Sequence, residues 1–444
     1  MATRPNIVFI LSDQQRWDTL GCYGRAPSVT PILDTMAEEG TVFTTAITPQ
    51  PVCGPARACL QTGRFASETG NSRNGVPLPE DCTTVATCLA AEGYDLGYVG
   101  KWHLAGDPTA PPPPARRGGF SGYWVGADLS EYVSNGYAGI VYDRDGRTIP
   151  FEGYRTDVYT NYALDYLRTR PADQPFYLFL SYVEPHPQPY HKGYQGPEPP
   201  NRDGIVHDYL RYDCPLGTAS KFREHAVPED LRKLDDNGWM QFPEYLSCCH
   251  RVDANVGRVL NELTVQGVAE NTLVVYGSDH GSHFHTRGGN DKCTCHDSSV
   301  RVPLIARGPG FAAGHIVETP VSLIDVPPTL LATTQTPVPP QMRGTDLRCA
   351  SRTESAYIEI RDPTRKRVER AIRTSAWTYC VGKALDASPE ARYTEALLYD
   401  MVHDPAQLTN LIEAPEHTQT KNSLHDQLRS WMDIAGDQTE IALA

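Results

Sequence analysis

Asn6-Ile7-Val8-Phe9-Ile10-Leu11 is a continuous, almost wholly apolar run near the start of a chain of 444 residues. The runs 176–181 and 272–277 have the same character, and helix signals lie between them. Strands that are apolar on both sides and separated by helices are typical of parallel sheets covered on both faces. The sequence therefore predicts an α/β fold with a large, mostly parallel sheet sandwiched by helices.

Capping residues mark where the helices around this sheet begin and end. Thr30-Pro31 offers an N-cap followed by a proline in the first turn, and Gly40 supplies a stop. Similar patterns predict helices over about 83–92 and 244–263, and a further strand over 94–99. These alternating elements supply the layers that an α/β sheet needs on both faces.

Pro337-Val338-Pro339-Pro340 predicts a boundary, because a run of prolines does not continue a helix or a central strand. Beyond it, short apolar runs predict antiparallel strands, and 416–434 predicts a final helix. We therefore expect a larger N-terminal domain, 1–340, and a smaller C-terminal α+β subdomain, 341–444, that holds an antiparallel sheet and a helix.

The composition excludes several function classes. A net charge of −14 argues against a general nucleic-acid binder. No apolar run reaches the ~18 residues that a membrane-spanning helix needs. Only five residues precede the first strand, too few for a signal peptide, so we expect a cytoplasmic protein, or a periplasmic or secreted one if the chain was trimmed. The 12 scattered cysteines favour free thiols in a reducing compartment over a disulfide scaffold.

The run Cys53-Gly54-Pro55-Ala56-Arg57 and its continuation to Arg64 carry the pattern C-x-P-x-R-x-x-L-x-T-G-R. Pro55 suits the first turn of a helix, where its missing N–H costs nothing. Residue 53 would then lie at a helix N-terminus, whose partial positive charge favours an oxyanion. Arg57 would lie one turn away, where its guanidinium can hold an anionic group.

This pattern resembles the signature of the sulfatase family, which belongs to the alkaline phosphatase superfamily. In that family a separate formylglycine-generating enzyme oxidises the cysteine to Cα-formylglycine, and the hydrated aldehyde is the nucleophile. Where the family often has serine, this chain has Ala56. The run 398–411 is similar to the closing motif of sulfatases, so the resemblance spans nearly the whole chain. It implies hydrolysis of a sulfate ester by a formylglycine derived from Cys53.

Two strand ends carry the residues for a metal site. Asp13 and Gln14 close the first strand, and Asp279 and His280 close a later apolar strand. Ligands of α/β sheets bind at the carboxyl ends of strands, although an aspartate there is more often a helix cap. The resemblance implies that these four residues and the derivative of Cys53 bind one divalent cation. Ca²⁺ is the cation expected from the family, and the imidazole keeps Mn²⁺ open alongside Mg²⁺.

Lys101 and His103 follow the strand 94–99 in a G-K-W-H element that matches the family. Residues two apart on an extended segment face the same side, so both should face the site. The resemblance implies that Lys101 neutralises sulfate oxygens, that His103 orients and deprotonates the nucleophile, and that His186 protonates the leaving alcohol. Lys292 takes the place of the family's last sulfate-binding lysine. The implied catalytic residues are Cys53, Arg57, Lys101, His103, His186 and Lys292.

Polar loops indicate the kind of substrate. The long segment 187–228, rich in proline, glycine, tyrosine and histidine, is predicted to be a lid. We expect hydrogen bonds and positive charge for a sulfated small molecule or glycan from five side chains: Tyr190, His191, His283, His285 and Arg287. These polar groups favour a carbohydrate sulfate over a steroid or lipid sulfate.

Two other functions remain open. The Asp-Gln and Asp-His pairs fit a phosphonate monoester or phosphodiester hydrolase of the same superfamily, some of which also use formylglycine. The Lys101-x-His103 element fits sulfatases better. A non-catalytic relative that only binds sulfated glycans is the other alternative, although such a chain should have lost part of this set, all of which is present.

Overall fold

The computed structural model describes residues 4–24, 29–188, 211–234, 238–288, 291–349, 354–388 and 390–442. Tyr190 and His191, two of the predicted substrate-binding residues, lie outside the described residues. Most of the predicted lid, 187–228, lies outside them too. All the other predicted site residues are described.

Strands and helices alternate along the first three quarters of the chain. The strands are β1 (Asn6–Asp13), β2 (Thr41–Phe43), β3 (Ala46–Ile47), β4 (Asp95–Lys101), β5 (Tyr123–Ala127), β6 (Ala138–Tyr142), β7 (Thr148–Glu152), β8 (Phe176–Pro185), β9 (Thr272–Ser278), β10 (Arg301–Val302), β11 (Leu304–Arg307), β12 (His315–Val317), β13 (Val321–Ser322), β14 (Ser355–Asp362), β15 (Arg367–Thr374), β16 (Trp377–Ala384), β17 (Tyr393–Asp400) and β18 (Ile441–Ala442). The α-helices are α1 (Pro31–Glu38), α2 (Cys53–Thr62), α3 (Ala66–Thr69), α4 (Val85–Ala91), α5 (Ser130–Val133), α6 (Arg155–Thr169), α7 (Glu229–Lys233), α8 (Phe242–Val265), α9 (Asp297–Val300), α10 (Val326–Thr333) and α11 (Thr418–Ile434).

The largest sheet of the described residues has ten strands in the order β12-β2-β11-β9-β1-β8-β4-β5-β6-β7. Its middle strands, from β9 to β5, are parallel. The strands β6 and β7 on one side and β11 on the other run antiparallel to their neighbours. Helices pack on both faces, so the predicted α/β fold with a large, mostly parallel sheet is confirmed.

The central strand β1 shows why the sheet needs two covering layers. Its alternate side chains enter two cores: Ile7, Phe9 and Leu11 pack on the side of α2, α4 and α10, and Val8 and Ile10 pack on the side of α6 and α8. Because both sides of the strand contact apolar atoms, its polar residues come at the carboxyl end. There Ser12 lies opposite Ser278 of β9, and Asp13 ends the strand.

The predicted helices are present, with small shifts at their ends. The helix expected over 83–92 spans Val85–Ala91, and the one expected over 244–263 spans Phe242–Val265. A proline lies in the first turn of α8, where it is tolerated, which explains the earlier start.

The C-terminal sheet has the order β14-β15-β16-β17-β18 and is antiparallel except for its last pair. Helix α11 packs on it through Leu424, Leu428 and Met432. The same core includes Phe65, which lies between α2 and α3. The predicted antiparallel sheet and helix are therefore present, and the boundary between 1–340 and 341–444 stays a prediction.

Two further expectations from the sequence concern membrane-spanning helices and the state of the cysteines. Among the described residues, no helix is both long enough and apolar enough to span a membrane. Ten of the 12 cysteines, Cys53 among them, carry a free thiol. The cellular compartment stays a prediction from the sequence.

Phe65 joins the C-terminal sheet to the rest of the molecule. It is buried and packs edge to face on Tyr357 and Trp431, with ring centroids 5.1 and 6.2 Å apart. We expect Phe65→Ala to lower the free energy of unfolding by about 3–5 kcal/mol, because it removes contacts and leaves a cavity. Urea denaturation measures this change. Val402→Ala is the control, because Val402 is 66% exposed and should change stability by no more than about 0.5 kcal/mol. Equal stabilities of the two variants would contradict the expectation.

Candidate active site

Three strand ends and one helix start meet at the carboxyl edge of the large sheet. β1 ends at Asp13, β4 ends at Lys101, and β9 ends at Ser278, directly before Asp279. Cys53 is the first residue of α2. The fold therefore brings together predicted catalytic and metal-binding residues that lie far apart in the sequence.

Arg57 ties these ends together. It is buried, and its guanidinium donates to Asp13 at 2.9 Å and to Asp279 at 3.1 Å. It also donates to the Lys101 carbonyl at 2.8 Å and to the Ser181 hydroxyl at 2.7 Å. Its nitrogens are thus directed at the two aspartates, at the end of β4 and at the middle of β8. Its predicted contact with the nucleophile and the sulfate stays a prediction.

Four side chains form a group that could hold a metal ion, which we call the donor cluster: Asp13, Cys53, Asp279 and His280. One ligand atom from each lies within 4.8 Å of the others, and all are buried. His280 Nδ1 donates to the Gly281 carbonyl at 2.9 Å, so the lone pair of Nε2 faces the Cys53 sulfur at 3.1 Å. Two carboxylates, a neutral imidazole and the position of residue 53 suit a divalent cation.

Gln14 lies beside the donor cluster. Its backbone is left-handed, with φ of +67°, and its N–H donates to Asp279 at 3.0 Å. Its side-chain oxygen accepts a hydrogen bond from Lys292 at 2.8 Å, and its side-chain nitrogen donates to Asp291. The structure therefore places this predicted metal ligand next to the other four, with its amide held at both ends.

Lys101 is fully buried between two carboxylates. Its ammonium lies 2.7 Å from Asp13 and 2.6 Å from Glu131. Burial lowers the pKa of Lys101, but Asp13, Cys53 and Glu131 outweigh burial and raise it. Burial likewise raises the pKa of Glu131, and Lys101 lowers it to about 2. The site thus contains a permanent positive charge that two carboxylates hold in place.

His103 lies two residues past Lys101 but not on an extended segment. Its φ is +61°, in the left-handed region, so the prediction of an extended run was wrong at this residue. Its backbone N–H donates to the Asp128 carbonyl at 2.7 Å, which holds the turn. Both ring nitrogens are buried and have no hydrogen-bond partner within the described part of the chain. Burial and Lys101 lower the pKa of His103, so its ring is neutral.

His186 follows β8 and faces Lys292. Its Nδ1 donates to the Pro187 carbonyl at 2.7 Å, and its Nε2 lies 3.3 Å from Lys292 Nζ. Burial, followed by the charge of Lys292, lowers the pKa of His186 to about 3. Lys292 Nζ also lies 3.3 Å from the Cys53 sulfur and 3.4 Å from His280 Nε2. The structure therefore brings Lys292 to the donor cluster and His186 next to it.

The described substrate-binding candidates occupy different environments. His283 is buried, and its Nε2 donates to the Lys292 carbonyl at 3.1 Å. Arg287 donates to the two carbonyls of 406–407, each at 2.7 Å. Both side chains thus support the loop that carries Lys292, whereas His285 is exposed. Contact of any of them with substrate stays a prediction.

Two acidic residues at the site have no clear signal in the sequence. Glu131 pairs with Lys101, and Asp291 accepts a hydrogen bond from Gln14. Glu131 lies on the one-turn helix α5 and Asp291 in a loop, so neither apolar periodicity nor capping marks them. The position of Asp291 directly before Lys292 is the one hint that the sequence offers.

Known proteins resemble the whole chain. The sequence profile of the sulfatase family matches 5–336, and that of the C-terminal part of N-sulphoglucosamine sulphohydrolase matches 286–433. An ulvan-active sulfatase of Formosa agariphila is 31% identical over 98% of this chain and 82% of its own length. A multifunctional alkaline phosphatase superfamily protein of Trinickia caryophylli is 27% identical over 98% of this chain and 97% of its own length. A solved structure of an enzyme in complex with its substrate D-glucosamine-2-N,6-O-disulfate has a TM-score of 0.78 and 25% identity, over 98% of this chain and 99% of that one.

The profile match and the site geometry agree. The matched span 5–336 contains all the predicted catalytic and metal-binding residues, from Asp13 to Lys292. Those residues gather at one edge of the sheet around the donor cluster. The chain therefore belongs to the sulfatase family and is a hydrolase of sulfate esters.

Proposed function

We propose that this sulfatase removes sulfate from a carbohydrate, using a formylglycine made from Cys53 by a separate maturation enzyme and Ca²⁺ as its cation. The observation that carries the proposal is the position of the Cys53 sulfur at the start of α2, with three neighbours: Asp13 at 3.6 Å, His280 at 3.1 Å and Lys292 at 3.3 Å. In the mature enzyme the hydrate oxygens of formylglycine would take the place of that sulfur. A nucleophile at this point lies against both the metal ligands and a sulfate-binding lysine.

The two added groups supply chemistry that ordinary side chains lack. A formylglycine hydrate offers a nucleophilic oxygen and a second hydroxyl that allows sulfate to be expelled, and a divalent cation offsets the charge on oxygen. Asp13, Gln14, Asp279 and His280 would hold the cation beside residue 53. Because most of these donors are oxygens, they suit Ca²⁺, and the single imidazole keeps Mn²⁺ as the alternative.

Lys101 and Lys292 bind the group that is transferred. Burial lowers the pKa of Lys292, but nearby Cys53 and Asp291 outweigh burial, so its pKa is raised like that of Lys101. Lys101 lies against Asp13, and Lys292 lies against Cys53, so positive charge flanks the donor cluster. Cations that are fixed in advance stabilise the charge on a transferring SO₃ group without rearrangement during the reaction.

His186 protonates the leaving oxygen. Its Nδ1 is bonded to the Pro187 carbonyl, so Nε2 is the nitrogen that faces the site. In the protein alone, burial and Lys292 disfavour the protonated ring. A sulfate ester beside Lys292 adds negative charge, which favours protonation of His186 when the substrate is bound.

His103 is the base that acts after the sulfate ester is cleaved, when sulfate is released from residue 53. Its neutral ring can accept a proton, and its two nitrogens are unpaired within the described part of the chain. It lies two residues past Lys101 and close enough for the charge of Lys101 to add to burial in lowering its pKa. We assign it the removal of the proton whose loss accompanies the release of sulfate.

Similarity to other proteins supports a carbohydrate substrate. One relative is named for activity on ulvan, and one similar structure contains a sulfated glucosamine. In this chain the exposed His285 lies on the loop between His280 and Lys292, where a polar sugar ring can accept or donate hydrogen bonds. A screen of defined sulfated sugars would identify the substrate and the position of the sulfate.

A phosphonate monoester or phosphodiester hydrolase is the second candidate. The amide of Gln14 and the imidazole of His280 favour it, and the relative of Trinickia caryophylli, which is named as multifunctional, is compatible with it. We expect kcat/KM to be highest for sulfate esters in a panel that also contains phosphodiesters and phosphonate monoesters. A higher kcat/KM for either phosphorus ester would favour the second candidate.

Activity should require conversion of Cys53. Co-expression with a formylglycine-generating enzyme should raise turnover in step with the converted fraction, which mass spectrometry of the tryptic peptide measures. Cys53→Ala cannot be converted and should lose nearly all turnover, because the nucleophile is missing. Cys349→Ala removes an exposed cysteine away from the site and should change neither quantity. Full turnover by a chain with an unmodified Cys53 thiol would refute the proposal.

Metal binding should require Asp279. Asp279→Ala removes a ligand oxygen, and we expect elemental analysis to find almost no bound cation and assays to find almost no activity. Because this variant also leaves the buried Arg57 with one carboxylate fewer, Asp279→Asn should be tested beside it. Asp165→Ala, at an exposed carboxylate, is the control and should keep its metal. One bound cation per chain in both Asp279 variants would count against the assignment.

His186 should matter most when the leaving group is poor. General acid catalysis contributes about 10²–10⁴-fold, and a sugar alcohol needs it far more than nitrophenol, which leaves well without a proton. His186→Ala should therefore reduce kcat/KM for a sulfated sugar much more than for nitrophenyl sulfate. Lys101→Ala should reduce both to a similar extent, because Lys101 contacts the group that is common to both substrates. Equal losses on the two substrates for His186→Ala would assign His186 to binding or structure instead.

A further inference from the structure

The geometry points to Asp291 as the residue that orients Gln14 for metal binding. Asp291 is buried, and its carboxylate accepts a hydrogen bond from the Gln14 side-chain nitrogen. We assign it a positioning role: it holds the Gln14 amide with the oxygen towards the donor cluster. This inference rests on the proposed metal site.

An amide can bind a cation only through its oxygen, so its orientation decides whether Gln14 is a ligand. A carboxylate accepts hydrogen bonds and does not donate them, so Asp291 fixes the nitrogen end of the amide. The same nitrogen lies 3.4 Å from the Ser282 hydroxyl, which can accept its second hydrogen. Both donors of the amide are therefore engaged on the side away from the cluster.

The opposite end of the amide faces the cluster. Gln14 Oε1 lies 2.8 Å from Lys292 Nζ, and that nitrogen lies 3.3 Å from the Cys53 sulfur and 3.4 Å from His280 Nε2. The backbone cannot readily turn the side chain away, because the Gln14 N–H is bonded to Asp279 at 3.0 Å. The residue thus presents one oxygen to the cluster from a backbone and an amide that are both fixed.

The position of Asp291 in the chain raises a competing explanation. It directly precedes Lys292, so its loss could act through the charge or placement of that lysine. A double-mutant cycle separates the two routes, because an effect transmitted through Gln14 disappears when Gln14 is truncated. Glu131 supplies the matched control: it is also a buried carboxylate near the cluster, but it contacts Lys101.

The test is calorimetric titration of Ca²⁺, and in parallel Mn²⁺, into the metal-stripped full-length chain. Asp291→Ala should raise the dissociation constant by about 10–100-fold, the usual effect of losing a hydrogen-bond partner of a metal ligand. Gln14→Ala should raise it as well, and adding Asp291→Ala to Gln14→Ala should cause little further change. Glu131→Gln should change it far less than Asp291→Ala does.

A second variant and three contrary outcomes complete the test. Asp291→Asn is the substitute if Asp291→Ala fails to fold. It keeps the side-chain shape but can pair with either end of the Gln14 amide, so it should weaken cation binding by a smaller factor than Asp291→Ala. Unchanged cation affinity in the Asp291 variants would overturn the inference, as would additive effects of the Asp291 and Gln14 substitutions. A wild-type chain that binds neither cation would overturn the proposed metal site itself, and the inference with it.

Discussion

The buried contact of Arg57 with Asp13 and Asp279 is the constraint on which the site depends. All three side chains are almost or completely inaccessible to water, so each charge needs the others. Removing one partner from such a group typically costs about 3–5 kcal/mol, because a buried charge is left uncompensated. Since Arg57 also donates hydrogen bonds to the Lys101 carbonyl and the Ser181 hydroxyl, its contacts hold α2 against the sheet edge. That docking sets the position of Cys53, one helical turn before Arg57.

The C-terminal part of the chain extends this control to Lys292. The loop that carries Lys292 is held through Arg287, which donates to the carbonyls of 406–407, and through Asp297, which pairs with Arg373 at 2.8 Å. Both partners belong to the C-terminal part. The C-terminal part therefore does more than cover one side of the molecule, because it holds the loop that brings the Lys292 ammonium to within 3.3 Å of the Cys53 sulfur. A shared hydrophobic core, which includes Phe65 and Tyr357, packs the N-terminal and C-terminal parts against each other.

Sequence patterns predict what is local and miss what is brought together by folding. Apolar runs predicted the parallel strands, and the pattern at Cys53 predicted the start of a helix. The left-handed backbone of His103 was missed, because a single residue type does not report φ. His283 and Arg287 were expected at the substrate because they offer hydrogen bonds and positive charge, yet their described hydrogen bonds go to carbonyls of the protein itself. The contact between Gln14 and Asp291 joins residues 277 positions apart, a distance over which no periodicity carries information.

The distribution of charge explains how an acidic protein can bind an anion. The chain has a net charge of −14, and two of its carboxylates are buried in the donor cluster, so a sulfate ester would meet repulsion if these charges faced it. Both carboxylates of the cluster are instead turned towards cations: Asp13 towards Arg57 and Lys101, and Asp279 towards Arg57. The two neighbouring carboxylates are also paired, Glu131 with Lys101 and Asp291 with the Gln14 amide. Gln14 follows the same arrangement, because its neutral amide lies between the two charges, donating to Asp291 and accepting from Lys292. Lys101 and Lys292 thus remain charged and held in place beside the donor cluster, so the site contains fixed positive charge inside an acidic protein.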